Sequence, residues 1–359
     1  MNIAPAIDAA NGLTGRWCAA AGDDDFVLSG AGLWPLLALL ASAAAGPTRD
    51  ELAAAAGTDS QRDALEVLGA LHSADAASAA LGLWVRDGVP LNDAWVRGLP
   101  AGTVARLSGQ AALDAWASKH TIGLIERFPL TVRPEDVLIL ATALAAKTLW
   151  RHKFNPSGSM LYRTSADLGI AGIVDGVTRV IVEGRDDVDV HLVVGDGGPG
   201  AVIAAGLAAL SGSTVLPASE LPVGATAPGL VVAEERAGSS DDQLRLAVPP
   251  FDIHSSHDLL QHAELFGLRS ATSSSAQFPG LSPDDLVLSS GTQAVLATFS
   301  AEGFEAAAVT AFGFARASAP LLRHRARVVR ITLDRPFGFI AVHRPSGLAI
   351  VAGWVAKPA

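Results

Sequence analysis

Apolar positions recur along this chain with two different periods. Leu33–Ala45 is apolar on every side, the mark of a deeply buried helix. Residues 61–74 and Leu113–Arg127 carry apolar positions at helical spacing, namely Leu113, Trp116, Ile122 and Ile125 in the second. The pattern also predicts helices over 11–20, Leu91–Leu99, Gly200–Leu210 and His257–Phe266. Another starts at about 48, where Thr48, Asp50 and Glu51 follow Pro47. Short apolar or alternating runs predict strands at Phe26–Leu28, Ala80–Val85, Val190–Val194, Leu230–Ala233, Leu244–Ile253, Val328–Leu333, Phe337–His343 and Leu348–Val355. Val137–Leu149 fits a central strand or a buried helix. Residues 157–244 are strand-rich, with many Gly, Pro and Ser. Strands and helices come in blocks without regular alternation, which predicts an α+β fold. No internal repeat or linker interrupts the chain, so a single domain over residues 1–359 is expected.

The stretch Phe26–Gly46 is uncharged and long enough to cross a bilayer. Three aspartates, Asp23 to Asp25, precede it where a signal peptide carries Lys or Arg, and Ser29, Gly30, Gly32 and Pro35 break it up. A strand, a turn and a buried helix are expected instead. No membrane partner is expected, and a cytoplasmic location is expected, with export by another route left open. The 359 residues hold 36 acidic and 26 basic side chains, a formal charge of −10. That balance leaves no electrostatic footprint for nucleic acid and points to a protein or small-molecule partner. Cys18 is the only cysteine, so no intramolecular disulfide forms, and a lone Cys is usually a small buried hydrophobe.

Two motifs suggest chemistry. Gly195-Asp196-Gly197-Gly198-Pro199-Gly200 fits the glycine pattern that cradles a pyrophosphate between a strand and a helix. However, Pro199 lies in the loop and Glu220, near the ribose-binding distance, lies in a Ser/Pro-rich loop. A plain strand-to-helix turn is the expectation. His254, His257, Asp258 and His262 resemble a metal cluster, but the histidine spacings are three and five rather than four, and solvated polar residues are expected. No Gly-x-Ser-x-Gly elbow offers a hydrolase nucleophile. Neither a metal, a cofactor nor an enzymatic activity is expected.

The last third of the chain carries a family resemblance. Glu302-Gly303-Phe304-Glu305-Ala306-Ala307-Ala308-Val309-Thr310-Ala311 is a run of small residues after a Glu-Gly pair. It leads to Arg335-Pro336-Phe337-Gly338-Phe339-Ile340 and to an ending with Gly353-Trp354-Val355-Ala356-Lys357-Pro358. This resembles a serpin: the hinge of a reactive-centre loop, the Pro-Phe strand and the terminal strand. Phe26-Val27-Leu28-Ser29, Thr121-x-Gly123-x-Ile125, Leu138–Trp150 with Phe154-Asn155-Pro156, and Val248-Pro249-Pro250-Phe251 through Gly280-Leu281-Ser282 agree in the same order. The likeness covers nearly the whole chain and is weak across 157–244.

The resemblance implies three β-sheets, eight or nine helices and an exposed bait loop within residues 301–327. It also implies a monomer that traps a serine protease by loop cleavage, acyl-enzyme formation and insertion of the loop as a new strand. The implied hinge is Gly303, Phe304, Glu305, Ala306, Ala307, Ala308 and Thr310. The implied shutter and breach residues are Ser29, Thr142, Gln293, Lys147 and Trp150. Alternation puts Phe304, Ala306, Ala308, Thr310, Phe312 and Phe314 on one face of an inserted strand, and Glu305, Ala307, Val309, Ala311 and Gly313 on the other. The first set is apolar apart from Thr310. The cut is expected after Ala317, before Ser318, or after Arg316 in a shorter loop. An alanine suits a small protease pocket and an arginine an acidic one. Ala301, Phe304, Gly32, Thr142 and Gln293 depart from the family's residues, and overpacking is expected at Phe304. The alternative is a non-inhibitory serpin-fold protein that acts by binding a partner. The basic residues Arg323, His324, Arg325, Arg327 and Arg330 form a solvated loop, a second bait site or a site for an acidic partner.

Overall fold

Phe337–His343 and Leu348–Val355 are buried along their whole length. They pair with each other in antiparallel fashion, and their continuous apolar sequence reflects burial on both faces. Phe26–Leu28 adds to one side and Val188–Val194 to the other. Val177–Val182, Ala171–Val174 and Leu216–Pro217 complete a seven-stranded sheet. Helices Ala4–Ala20 and Pro199–Ala208 pack on this sheet and on each other. The helices meet at Gly200, where a Cβ would stand 2.7 Å from the Ala19 Cα. The computed structural model describes residues 3–72, 75–121, 123–305 and 324–358, with Glu305 described by its backbone.

A six-stranded sheet runs in the order Thr226–Ala227, Leu230–Ala237, His324–Thr332, Gln243–Val248, Met160–Ser165 and Asn155–Ser157. Among the described residues, two smaller sheets of three and four strands form the rest of the named strands. The main core includes the buried helix Gly30–Ala43 and side chains from all four sheets. A second cluster of Trp84, Leu113, Phe128 and Ile139 lies on helix Gln110–His120, with Trp84 and Trp116 edge-to-face at 4.8 Å. Mixed helices and several largely antiparallel sheets make the fold α+β. Among the described residues, no helix is long and apolar enough to cross a membrane.

Several elements differ from the sequence pattern. The first helix starts at Ala4, seven residues before 11, with Pro5 in its first turn. The helix expected to reach Arg127 ends at His120, because the Thr121 hydroxyl donates to Ala117 O and accepts from Ile125 N. Gly123, at φ +80°, then turns the chain away. Ile122 lies outside the described residues. Leu244–Ile253 is two strands in different sheets, divided at Pro249-Pro250, which cannot donate to a ladder. His257–Phe266 is not an α-helix. The strand Phe251–Asp258 continues through His257, whose Nε2 lies 2.8 Å from Val27 O. Asp258 then caps a short 3-10 turn, Leu259–His262. Val137–Leu149 resolves as strand, Leu138–Ala146 and Thr148–Leu149.

Burial moves one histidine far from its usual titration range. His191 lies in Val188–Val194 at 5% exposure, and burial pushes its pKa from 6.5 down to about 4. The nearby Arg179 acts in the same direction. The unfolded chain takes a proton near 6.5 that the folded chain refuses, so stability is complete above that pH and falls as pH drops toward 4. The loss from this group is about 3 kcal/mol at most. His257, also shifted down by burial, adds in the same sense. Urea unfolding at about pH 8 and about pH 4.5 is expected to show His191→Gln keeping more of its stability than the parent. An equal loss in both proteins contradicts this assignment.

Candidate functional site

The two smaller sheets face each other across a gap. The first holds Val104–Arg106, Ala77–Val85 and Leu138–Ala146. The second holds Phe251–Asp258, Thr292–Phe299, Gly303–Glu305 and Thr148–Leu149. Leu138–Ala146 pairs with Ala77–Val85 on one side and has no ladder partner on the other among the described residues. Thr292–Phe299 pairs along its length with Phe251–Asp258, and among the described residues only Thr298 and Phe299 carry a second partner. Between the two edges lies an apolar cavity of about 230 Å³. Leu138–Leu144 and Thr292–Val295 line its sides, Leu36 and Leu40 lie on one face, and Trp116 and Phe128 on the other. The gap is therefore a slot with two strand edges.

Gly303–Glu305 fills the head of this slot. Gly303 and Phe304 pair with Leu149 and Thr148, while Phe304 and Glu305 pair with Phe299 and Thr298. A Cβ on Gly303 would collide with the Thr148 carbonyl oxygen, so only glycine fits between the strands. Phe304 is 2% exposed, and its ring centroid lies 6.2 Å from that of Phe339. The ring belongs to the main core. The preceding turn is tied at several points. Ser300 donates through its backbone N (3.0 Å) and its hydroxyl (3.1 Å) to Gly303 O. The fully buried Trp150 donates from Nε1 to Ser300 O at 2.8 Å and from its backbone N to Glu302 O at 2.9 Å. Phe154 N donates to Ala301 O, and Lys153 pairs with Glu302. Lys147 lies exposed between the two segments of its strand, with its N–H on Ala76 O. Ala306, Ala307, Ala308, Thr310, Arg316, Ala317 and Ser318 lie outside the described residues.

The first turn of helix Gly30–Ala43 ties the two slot edges together lower down. Ser29 caps this helix by accepting from Gly32 N at 2.9 Å and donates to Ile350 O at 2.6 Å. Gln293 accepts from Ser29 N and donates to Ser29 O, both at 2.9 Å. From the other edge, the Thr142 hydroxyl donates to Gly32 O. Gly32 has little room to spare, since a Cβ would stand 3.2 Å from the Ser29 Oγ and 3.4 Å from the Gln293 Nε2. Ser29, Thr142 and Gln293 thus meet at one knot, while Trp150 sits at the slot head. The resemblance brought out these residues. It did not bring out Ser300 or the Gln293 clamp, which act on backbone groups that no side-chain pattern marks, nor Lys153, whose partner Glu302 lies far along the chain.

The remaining motifs have structural roles. The strand before Gly195 is antiparallel to both neighbours, so the parallel unit of a dinucleotide site is not formed. His254 faces Asp252 at 3.2 Å, His257 holds Val27 O, and no metal-holding group of His, Cys, Asp or Glu occurs among the described residues. Arg325 pairs with Glu234 and Arg330 with Glu235. Arg327 donates to the Ala218, Ser219 and Leu221 carbonyls and to Asp242. These three belong to the six-stranded sheet, not to a solvated loop; Arg323 lies outside the described residues. Cys18 is buried, which drives its thiol pKa up and leaves it unreactive.

The comparisons with known proteins fit this architecture. The family model "Serpin (serine protease inhibitor)" matches residues 8–161 and 230–358. Human thyroxine-binding globulin complexed with thyroxine has 18% identity and a TM-score of 0.71, covering 99% of this chain and 98% of that one. Native protease nexin-1 with heparin has 16% identity, a TM-score of 0.71 and 99% coverage of both chains. The thermophilic serpin tengpin in its native state has 16% identity and a TM-score of 0.71, covering 99% and 94%. No curated protein matches the sequence. The fold is the serpin fold. The chain belongs to the serpin family.

The knot at the slot predicts a measurable stability effect. Gln293→Ala removes both bonds to Ser29 and leaves its N–H without the Gln293 acceptor. A loss of about 2 kcal/mol is expected, read as a lower urea midpoint with an unchanged slope. An unchanged midpoint contradicts the clamp.

Proposed function

We propose that this serpin is a suicide-substrate inhibitor of a serine protease. The protease cuts the loop, is held as an acyl-enzyme, and is carried off as the loop enters the slot. The observation that supports this most directly is the slot, with a hinge strand paired on both sides at its head. If the cut loop continues that register into the slot, Ala306 comes opposite Ala146 and Ala297, and Ala308 opposite Leu144 and Val295. Thr310 then falls opposite Thr142 and Gln293. The one polar residue of the core-facing set thus meets the polar pair of the two edges. Phe304, already in the core, fixes which face the set takes.

The bait bond is Ala317–Ser318 or Arg316–Ala317, suiting an elastase-like or subtilisin-like enzyme in the first case and a trypsin-like enzyme in the second. The reaction consumes one inhibitor per protease and calls on no cofactor. The second reading is a non-inhibitory binding protein, since one protein of the same fold is thyroxine-binding globulin, solved in complex with thyroxine.

A panel of trypsin-like, elastase-like and subtilisin-like proteases, read by denaturing gel and intact mass, decides between them. A denaturation-resistant band at the summed mass, with a released fragment starting at Ser318 or Ala317, is expected. Ala308→Arg puts a charge on the core-facing side and is expected to abolish that band while leaving loop cleavage intact. Clean cleavage of the parent with no band favours the binding protein, and a full band from Ala308→Arg contradicts the insertion register.

A further inference from the structure

The arginines of His324–Thr332, the strand at the far end of the loop, are all tied down. Arg325 pairs with Glu234 at 3.5 Å. Arg330 pairs with Glu235, which also takes Arg245 at 2.7 Å. Arg327, with a side chain only 16% exposed, donates to the Ala218, Ser219 and Leu221 carbonyls and to Asp242. Glu234 and Glu235 both belong to the neighbouring strand, Leu230–Ala237.

The backbone holds the same strand more firmly still. Leu230–Ala237 runs beside it as an antiparallel ladder from His324 to Ile331. On the other side, Gln243–Val248 pairs only with Val328–Thr332. His324, Arg325, Ala326 and Arg327 are the described residues nearest the loop, and among the described residues Leu230–Ala237 is their one ladder partner. Val232 spends its N–H and C=O on Ala225 and Gly224, so Val231, Ala233 and Glu235 turn theirs toward His324–Thr332. The strand that receives the loop is thus an inner strand of its sheet and not an edge.

This anchorage bears on what the loop can do before it is cut. If an uncut loop continues the register of Gly303–Glu305 down the slot, residue 314 comes opposite Leu138, ten positions short of His324. Those ten steps reach roughly 35 Å fully extended, little more than the roughly 27 Å length of Leu138–Ala146 itself. Full entry of an uncut loop therefore draws on His324–Thr332, and each residue drawn out gives up ladder bonds and arginine partners. We propose that Leu230–Ala237 is a strap that holds the far end of the loop, keeps an uncut loop out of the slot and leaves a cut as the trigger for insertion. A cut separates the entering segment from His324, after which the strap no longer opposes entry. The proposal rests on the inhibitory reading of the slot.

The test is incubation of the uncut full chain below its melting temperature, followed by thermal melting and intact mass. The uncut parent is expected to keep its original melting temperature. Arg327→Ala, which frees the pinned side chain, and Ala233→Pro, which removes a ladder N–H, are expected to turn into a heat-resistant uncut form roughly tenfold faster or more. Arg16→Ala, which loses one bond to Ala55 O away from the strap, is expected to behave like the parent. Cutting the loop is expected to raise the melting temperature of parent and variants alike. Where Ala233→Pro fails to fold, Arg327→Ala carries the test. Strap variants that convert no faster than the parent and Arg16→Ala overturn the proposal, as does an uncut parent that turns heat-resistant as readily as the cut one. A cut parent with no gain in melting temperature removes the inhibitory reading, and the strap with it.

Discussion

Backbone N–H and C=O groups that leave water must find partners, and a strand edge presents a row of them. Everything distinctive in this fold follows from two such edges, Leu138–Ala146 and Thr292–Ala297, held apart with apolar space between them. An open edge in a soluble protein is normally blunted or covered. Here the edges are parallel walls of one slot, and a short strand enters at one end only. The slot is a place for a strand. The sequence supplies a candidate in the small-residue run that follows Phe304.

The slot is held open and in register by two knots of different kinds. At its head, the buried Trp150 anchors the turn Ser300–Gly303 through an indole N–H and a backbone N–H, and Gly303 slips between the walls because it has no side chain. Lower down, helix Gly30–Ala43 lends its first turn to both walls, through Gln293 on one side and Thr142 on the other. The first knot fixes where Gly303–Glu305 enters the slot, and the second ties one wall to the other. Both act on backbone groups, so they tolerate Thr142 and Gln293 in place of the family's usual residues.

The sequence revealed more of the frame than of these joints. Phe337–His343 and Leu348–Val355 were legible because strands buried on both faces are apolar throughout. The resemblance located Gly303 and Trp150, but the reason for a glycine, the carbonyl of Thr148, lies far back in the chain. Gln293 and Ser29 are separated by 264 positions, and the clamp between them has no local signature. Propensity misled at His257, where a hydrogen bond to Val27 O keeps the chain extended. It misled again beyond His120, where the Thr121 hydroxyl competes for the helix's own backbone groups. His191 looks unremarkable in sequence, and only its burial in the seven-stranded sheet sets its titration apart.

Hydrogen exchange on the two slot walls, before and after a single cut in the loop, tests the central claim most directly. Amide protection along Leu138–Ala146 and Thr292–Ala297 is expected to rise by orders of magnitude once the cut loop adds its ladder. The seven-stranded sheet is expected to change little. Wall amides that exchange as fast after cleavage as before would mean that no strand enters the slot, and would contradict the account.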